Sequence, residues 1–316
     1  MTTVVDPNAQ TVLAAVQELA AEWTAQRADR QRRTSLDPAD FAALREAGLL
    51  RLCLPAAYGG LWQGLKFTGP VLCEAYRAIA HADSSLALVS SMHPAVMAHG
   101  MWFLEPHIPV EYRQAWDEQC AWVFSTVVEG AWWGTTVSEP GSGGDTARTV
   151  TGARQDPATG EWRVSGLKHF GSGSGVLSYL ITEAQVPAEE QRDLFVFDMR
   201  GVPFDGSRGV TLVAPWAGHG MTATQSHSLR FEDFPAVRSA VPHEVLGPVP
   251  GGLNPCMWAG IITGIVETAV DTARQQLARR PQWRPYEQVE WTRVQADAWL
   301  IEQAYEGMVR NLAADG

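Results

Sequence analysis

Residues 135–145, Thr135-Thr136-Val137-Ser138-Glu139-Pro140-Gly141-Ser142-Gly143-Gly144-Asp145, form a polar, glycine-dense loop directly after an aromatic, strand-like run. Three glycines in four positions let a backbone pass close to a flat or phosphorylated ligand, where side chains would clash. Taken alone, the same composition also suits a turn between strands. Two further stretches at sensible distances extend the reading. Gly166-Leu167-Lys168-His169-Phe170-Gly171-Ser172-Gly173-Ser174-Gly175 follows a short strand, Trp162 to Ser165, and precedes another, Val176 to Thr182. Gly220-Met221-Thr222-Ala223-Thr224-Gln225-Ser226-His227-Ser228-Leu229-Arg230-Phe231-Glu232-Asp233-Phe234 then leads through Val241-Pro242 to Leu246-Gly247.

In order and spacing these stretches resemble the acyl-CoA dehydrogenase family of flavoproteins. That family's central β-domain carries a Thr/Ser-Glu-Pro loop ending in Gly-x-Asp, a Gly-x-Lys with an aromatic-x-Ser/Thr tripeptide, and Phe-Glu-Asp. With its helical flanks the likeness runs from about residue 10 to the end. It implies an α+β chain: an N-terminal helical domain over 1–120, a central β-barrel or sandwich domain over 121–247, and a shortened C-terminal helical bundle over 248–316.

Periodicity gives the same division. Asp6 before Pro7 makes an N-cap and first-turn pair, after which Val12, Ala15, Val16, Leu19 and Trp23 fall on one face of a 3.6-residue period. Asp37-Pro38 repeats the device, with Phe41 and Leu44 inward and Gly48 able to end the helix. Pro55 to Gly60 resembles the family's Pro-x-x-Tyr-Gly-Gly turn, and Val71, Leu72, Ala75 and Ile79 mark another amphipathic helix. Ser84 to Phe103 reads as a buried apolar one. From Ala121 to Gly247 short β-rich runs alternate with Gly, Pro and Asp, Leu194 to Phe197 being a buried strand. Helix period returns after Pro250 with Ile261, Ile262, Ile265, Ala269, Ala273 and Leu277, and a second long helix starts near Tyr286. Helix, strand, helix in blocks is an α+β organisation.

Composition bounds the function. The 316 residues suffice for a substantial core and more than one domain. A net charge of -11 speaks against a broad nucleic-acid surface. Cys53, Cys73, Cys120 and Cys256 show no paired spacing and suit a reducing compartment. No charged segment followed by an apolar run opens the chain, and no uninterrupted stretch reads as a bilayer span, so the expected location is cytoplasmic. His93 and His99, six apart, do not share a helix face, and no metal site is evident. The 13 tryptophans mostly fall in apolar patterns, as core or interface residues.

The resemblance implies FAD as cofactor, held by Thr136, Val137, Ser138 and Gly144 in the first loop and by Phe170, Gly171 and Ser172 in the second. Ser138 stands where the family places a hydroxyl that bonds the isoalloxazine, Ser172 closes the aromatic-x-Thr tripeptide, and Phe170 replaces the usual Trp. Read without the family, both serines suit turns and Phe170 suits a core. Arg280 with Trp283 resembles an Arg-x-x-Phe that reaches the adenine end of FAD across a subunit interface, which implies a homo-oligomer, a dimer or tetramer. A basic residue at a helix C-terminus also has its own favourable interaction with the dipole.

The family's dehydrogenases desaturate an acyl thioester with a carboxylate base. None is identifiable in this sequence, which ends at Gly316 short of the family's C-terminal segment, while the other usual position falls near Asn254, followed by Pro255. Glu267 lies on that helix, and its neighbours place it about as well on a solvated face. Glu139 reads as structural. The leading expectation is an FAD-dependent oxidoreductase acting on a CH-CH group of a small-molecule substrate such as an acyl-CoA. Gly220 to His227 resembles the Gly-Met-Arg-x-Thr-Gly-Ser-His stretch of flavin-dependent monooxygenases of the same fold, with Thr222 for Arg, and residues 278–297 resemble their type-2 C-terminal domain. Such an enzyme uses reduced flavin and needs no carboxylate base, and His227 is then a polar contact near the flavin or a surface histidine. A non-catalytic or incomplete relative is the third reading.

Overall fold

A computed structural model describes residues 8–99, 108–142, 145–189, 191–246 and 253–315. In chain order the first helices are α1 (Ala9–Ala25), α2 (Arg27–Arg30), α3 (Pro38–Glu46), α4 (Leu65–Ala82), α5 (Ser84–His99) and α6 (Val110–Val128). Strands β1 (Trp133–Thr135), β2 (Gly152–Gln155), β3 (Trp162–Gly171), β4 (Tyr179–Val186), β5 (Gln191–Asp198), β6 (Val210–Ala214) and β7 (His227–Arg238) follow, and then α7 (His243–Leu246), α8 (Leu253–Ala278) and α9 (Pro285–Asp315). Two compact units result, one from residues 1–32, 42–91 and 251–316, the other from 33–41 and 92–250.

The first unit is helical. The Asp6-Pro7 pair lies outside the described residues. Asn8 caps α1, its side chain accepting from the Thr11 amide at 2.9 Å, and Val12, Val16, Ala20 and Trp23 form the buried stripe. Gly48, beyond the end of α3, takes the left-handed conformation at φ 94°. The α4 and α8 backbones approach closely because Gly264 faces α4: a Cβ there would come within 2.3 Å of the Arg77 carbonyl oxygen. By length and mean hydropathy α8 could cross a membrane, which the sequence reading did not anticipate, yet Cys256, Met257, Gly260, Ile261 and Gly264 along it are buried.

The second unit is built on a seven-stranded sheet. Parallel β1 and antiparallel β5 flank β4, β4 also meets β2 through Gly152↔Gln185, β2 pairs β3, β3 pairs β7, and β7 returns to β5 through Phe195↔Arg238 and Val196↔Val237, so the order closes into a barrel. Its interior holds Val164, Phe195, Phe197, Phe231 and Phe234, with Phe197 stacked on Phe231 at 4.5 Å. Strand structure begins at Trp133 and not at Ala121, because α6 continues through Val128. Trp116, Val123, Phe124 and Val127 are buried at helical spacing, and their aromatic and β-branched character resembles a strand only locally. The Gly166 to Gly171 run lies inside β3 with register shifts on β7, and is therefore not a free loop.

Candidate functional site

At one end of the barrel the continuation of β1, the end of β3, the start of β7 and the segment after β6 meet. Thr136 continues the pairing of β1, its amide donating to the Ile181 carbonyl at 2.8 Å while its own carbonyl accepts from Thr182 Oγ1 at 2.8 Å. Two residues on, the Ser138 carbonyl accepts from the His169 amide at 2.8 Å, which ties the first loop to the end of β3. Opposite in register, Gly171 pairs with His227 of β7.

The loop is anchored from inside the barrel. Lys168, fully buried, donates from Nζ to Glu139 Oε1 at 2.6 Å and to the Glu183 carbonyl at 2.9 Å. Glu139 further accepts from the Val150 amide at 2.7 Å, from the Thr151 amide and from Thr149 Oγ1. Burial alone would raise the Glu139 pKa, but hydrogen bonds from Lys168, Thr149 and Val150 outweigh it and bring the carboxyl down to about 2. Burial lowers the Lys168 pKa, with the Glu139 charge opposing. Glu139 is thus an anchor.

Above this anchor three features point to a flat polar ligand. Thr136 Oγ1 is buried and has no hydrogen-bond partner among the described residues. Gly171 lies against it, and a Cβ there would sit 3.1 Å from both Thr136 Oγ1 and Ser174 Oγ. Phe170 is 61% exposed and held at φ 55°, so it is not a core residue; a bulky side chain kept in the left-handed region at a loop cluster is the kind of strain that marks ligand sites. Met221 at φ 48° and Gln225 at φ 47° share that conformation.

Trp216, which sequence reasoning did not single out, stands edge-on to Phe170 at 6.2 Å. It donates from its indole Nε1 to the Met221 carbonyl at 3.0 Å and from its amide to His227 Nδ1 at 3.0 Å. An amide can only donate, so Nδ1 is the acceptor and the neutral ring carries its proton on Nε2. Burial lowers the His227 pKa, which favours that neutral form. Ser172 Oγ contacts Ser226 Oγ at 2.7 Å, Ser226 Oγ contacts Thr224 Oγ1 at 2.7 Å, and Thr224 Oγ1 reaches the Met221 carbonyl at 3.0 Å. Thr222, in the position of the expected Arg, donates to the Arg33 carbonyl at 2.8 Å. A second neutral imidazole belongs to this unit: burial brings the His93 pKa down to about 3, its Nδ1 accepts from the Trp133 amide at 3.2 Å, and its Nε2 has no partner among the described residues.

The predicted cofactor residues Thr136, Val137, Ser138, Phe170, Gly171 and Ser172 therefore come together at this end of the barrel, while Gly144 lies outside the described residues. The other predicted residues belong to the helical unit. Arg280 ion-pairs with Glu287, and Trp283 Nε1 donates to the Leu277 carbonyl at 3.1 Å. Glu267 accepts from Arg77 Nε at 3.0 Å, and Arg77 also holds Glu302 at 2.8 Å. A carboxylate so engaged has lost the freedom that a base requires. Trp216, Thr224 and Ser226 left only faint marks in the sequence, an isolated Trp after Pro215 and hydroxyls two apart ahead of His227.

The closed barrel between helical segments and its loop cluster define an acyl-CoA dehydrogenase-like chain. The acyl-CoA dehydrogenase N-terminal domain family matches residues 6–105. The probable FMNH2-dependent monooxygenase SfnC of Pseudomonas putida is 30% identical over 86% of this chain and 64% of its own length. The dibenzothiophene monooxygenase of Rhodococcus qingshengii is 27% identical over 93% of this chain and 66% of its own. The chain thus spans just under two thirds of the length of these curated relatives. Among solved structures, FMN-bound TdsC from Paenibacillus sp. A11-2 superposes with a TM-score of 0.73 at 22% identity, covering 96% of this chain and 77% of that one. Residues 6–105 thus match the acyl-CoA dehydrogenase N-terminal domain family, and the chain as a whole has the acyl-CoA dehydrogenase-like fold.

Proposed function

We propose that this chain is a flavin-dependent monooxygenase on the acyl-CoA dehydrogenase fold, taking reduced FMN, and not an FAD enzyme that desaturates an acyl thioester. The observation that carries the reading is the set of side chains at the barrel end. Phe170, Trp216, hydroxyls and a neutral imidazole gather there, while the nearby carboxylate, Glu139, is committed to Lys168. Removal of an α-proton needs a base within hydrogen-bond reach; Glu139 is committed to Lys168, and Asp145 of the same loop caps the following turn by accepting from the Ala147 amide at 3.0 Å. The names of SfnC and of FMN-bound TdsC support the same choice of chemistry and cofactor.

Bound there, reduced flavin supplies the electrons that activate oxygen. The chain's own part is to bind and orient. Thr136, Ser138 and Ser172 offer hydroxyls to the polar edge of the ring, Gly171 allows close approach of the backbone, Phe170 and Trp216 provide an apolar wall against water, and His227 presents Nε2–H as a donor. FMN has no adenine arm, so Arg280 and Trp283 carry no cofactor role in this reading. In this reading the substrate is a small organic molecule and not an acyl-CoA.

Self-association is part of the proposal, supported by exposed Trp258, Ile262, Trp299 and Leu300 on α8 and α9. A cytoplasmic setting without membrane or nucleic acid is supported by four free cysteines and a net charge of -11. The test is fluorescence titration of FMN and FAD with the purified chain, followed by reduced FMN under ¹⁸O₂ with a panel of small aromatic and sulfur-containing substrates. Quenching of FMN and transfer of one labelled oxygen are expected; quenching of neither flavin overturns the proposal.

A further inference from the structure

We infer that Thr224 and Ser226 are positioning residues that make Ser172 a hydrogen-bond acceptor toward the cofactor, so that the site favours reduced over oxidised flavin; this rests on the flavin reading above. The hydroxyl chain from Met221 to Ser172 has a fixed polarity. The Met221 carbonyl can only accept, so Thr224, at 3.0 Å, donates to it. Each hydroxyl has one proton. Thr224 has then spent its own and accepts from Ser226, and Ser226 in turn accepts from Ser172, each at 2.7 Å. Ser172 is left with lone pairs and no proton to offer. Thr224 and Ser226 are buried, so water does not readily supply alternative partners.

The opposite arrangement costs a bond. If a ligand required a proton from Ser172, that hydroxyl would turn away from Ser226, or the whole chain would reverse and Thr224 would release Met221. Either way one internal hydrogen bond is lost. Two-electron reduction of an isoalloxazine converts a bare acceptor nitrogen of the central ring into an N–H. A site whose hydroxyl is fixed as an acceptor suits the reduced ring and penalises the oxidised one. The sequence offers no hint of this, because Ser, Ser and Thr at these positions are silent about the direction of their protons.

The experiment measures anaerobic dissociation constants for oxidised and reduced FMN, together with the midpoint potential of the bound flavin, on the full chain and on Ser226→Ala, Thr224→Val and Ser226→Thr. The wild-type chain is expected to bind the reduced form about tenfold more tightly, equivalent to a midpoint about 30 mV above that of free FMN. Ser226→Ala and the near-isosteric Thr224→Val should lower that ratio several-fold, and Ser226→Thr, which keeps the hydroxyl, should retain it. A merely structural role would weaken both redox forms together. An unchanged ratio in Ser226→Ala and Thr224→Val therefore overturns this inference while leaving the flavin reading intact, whereas binding of neither form by the wild-type chain overturns the flavin reading itself. If Ser226→Ala does not fold, Thr224→Val against Ser226→Thr decides.

Discussion

Lys168 Nζ lies 2.6 Å from Glu139 Oε1 with both side chains buried, and this pair fixes the loop after β1 to the wall of the barrel. Removing one member leaves the other charge buried without compensation. Glu139→Gln should destabilise the chain by about 3–5 kcal/mol in urea unfolding, with Glu139→Gln/Lys168→Met recovering part of the loss. Equal stability of Glu139→Gln and wild type would show that the pair does not anchor the loop.

The same pair gives a pH signature. The Glu139 pKa is depressed from an ordinary 4.5 to about 2, so its contribution is fully present above 4.5 and is lost as pH falls from there toward 2. His93, depressed from 6.5 to about 3, acts in the same direction, since protonation favours the unfolded chain as pH drops below 6.5. Thermal unfolding midpoints between pH 7 and 3 should therefore fall in two overlapping stages. His93→Gln should flatten the upper stage and Glu139→Gln the lower.

Much of this arrangement was legible in the sequence, and what was not has physical causes. The order and spacing of the Ser138, Phe170 and Phe231-Glu232-Asp233 segments resemble the acyl-CoA dehydrogenase family, and that resemblance, more than any local pattern, implied three parts of one β-domain. The extension of α6 through Trp122 to Val128 was misread because its aromatic and β-branched residues have strand character while their burial follows helical spacing. The exposure of Phe170, the place of Trp216 and the direction of the hydroxyl chain depend on contacts between β3, β6 and β7, which no local pattern encodes.

Phe170 pays a conformational penalty at φ 55° and covers no core. Phe170→Gly should leave stability unchanged or raise it by up to about 1 kcal/mol, because glycine adopts that conformation freely. FMN affinity should fall several-fold in the same variant. A clear loss of stability without any loss of FMN binding would return Phe170 to a structural role.

Glu267 serves the helical unit through Arg77 and Glu302. Glu267→Gln should cost about 1–2 kcal/mol of stability, the scale of a charged hydrogen bond at a half-buried site. Flavin binding and its redox ratio should not change. Loss of substrate turnover with full stability would instead restore Glu267 as a catalytic base.

The most direct test of the central claim is the oxidised flavin absorbance of the FMN-loaded chain, mixed anaerobically with a series of straight-chain acyl-CoA thioesters. With Glu139 locked on Lys168 and Asp145 capping the turn at Ala147, the band should stay at the level of FMN alone for every thioester, since a missing general base typically costs about 10²–10⁴-fold in rate. Rapid bleaching by any one of them would contradict the monooxygenase account and identify a dehydrogenase.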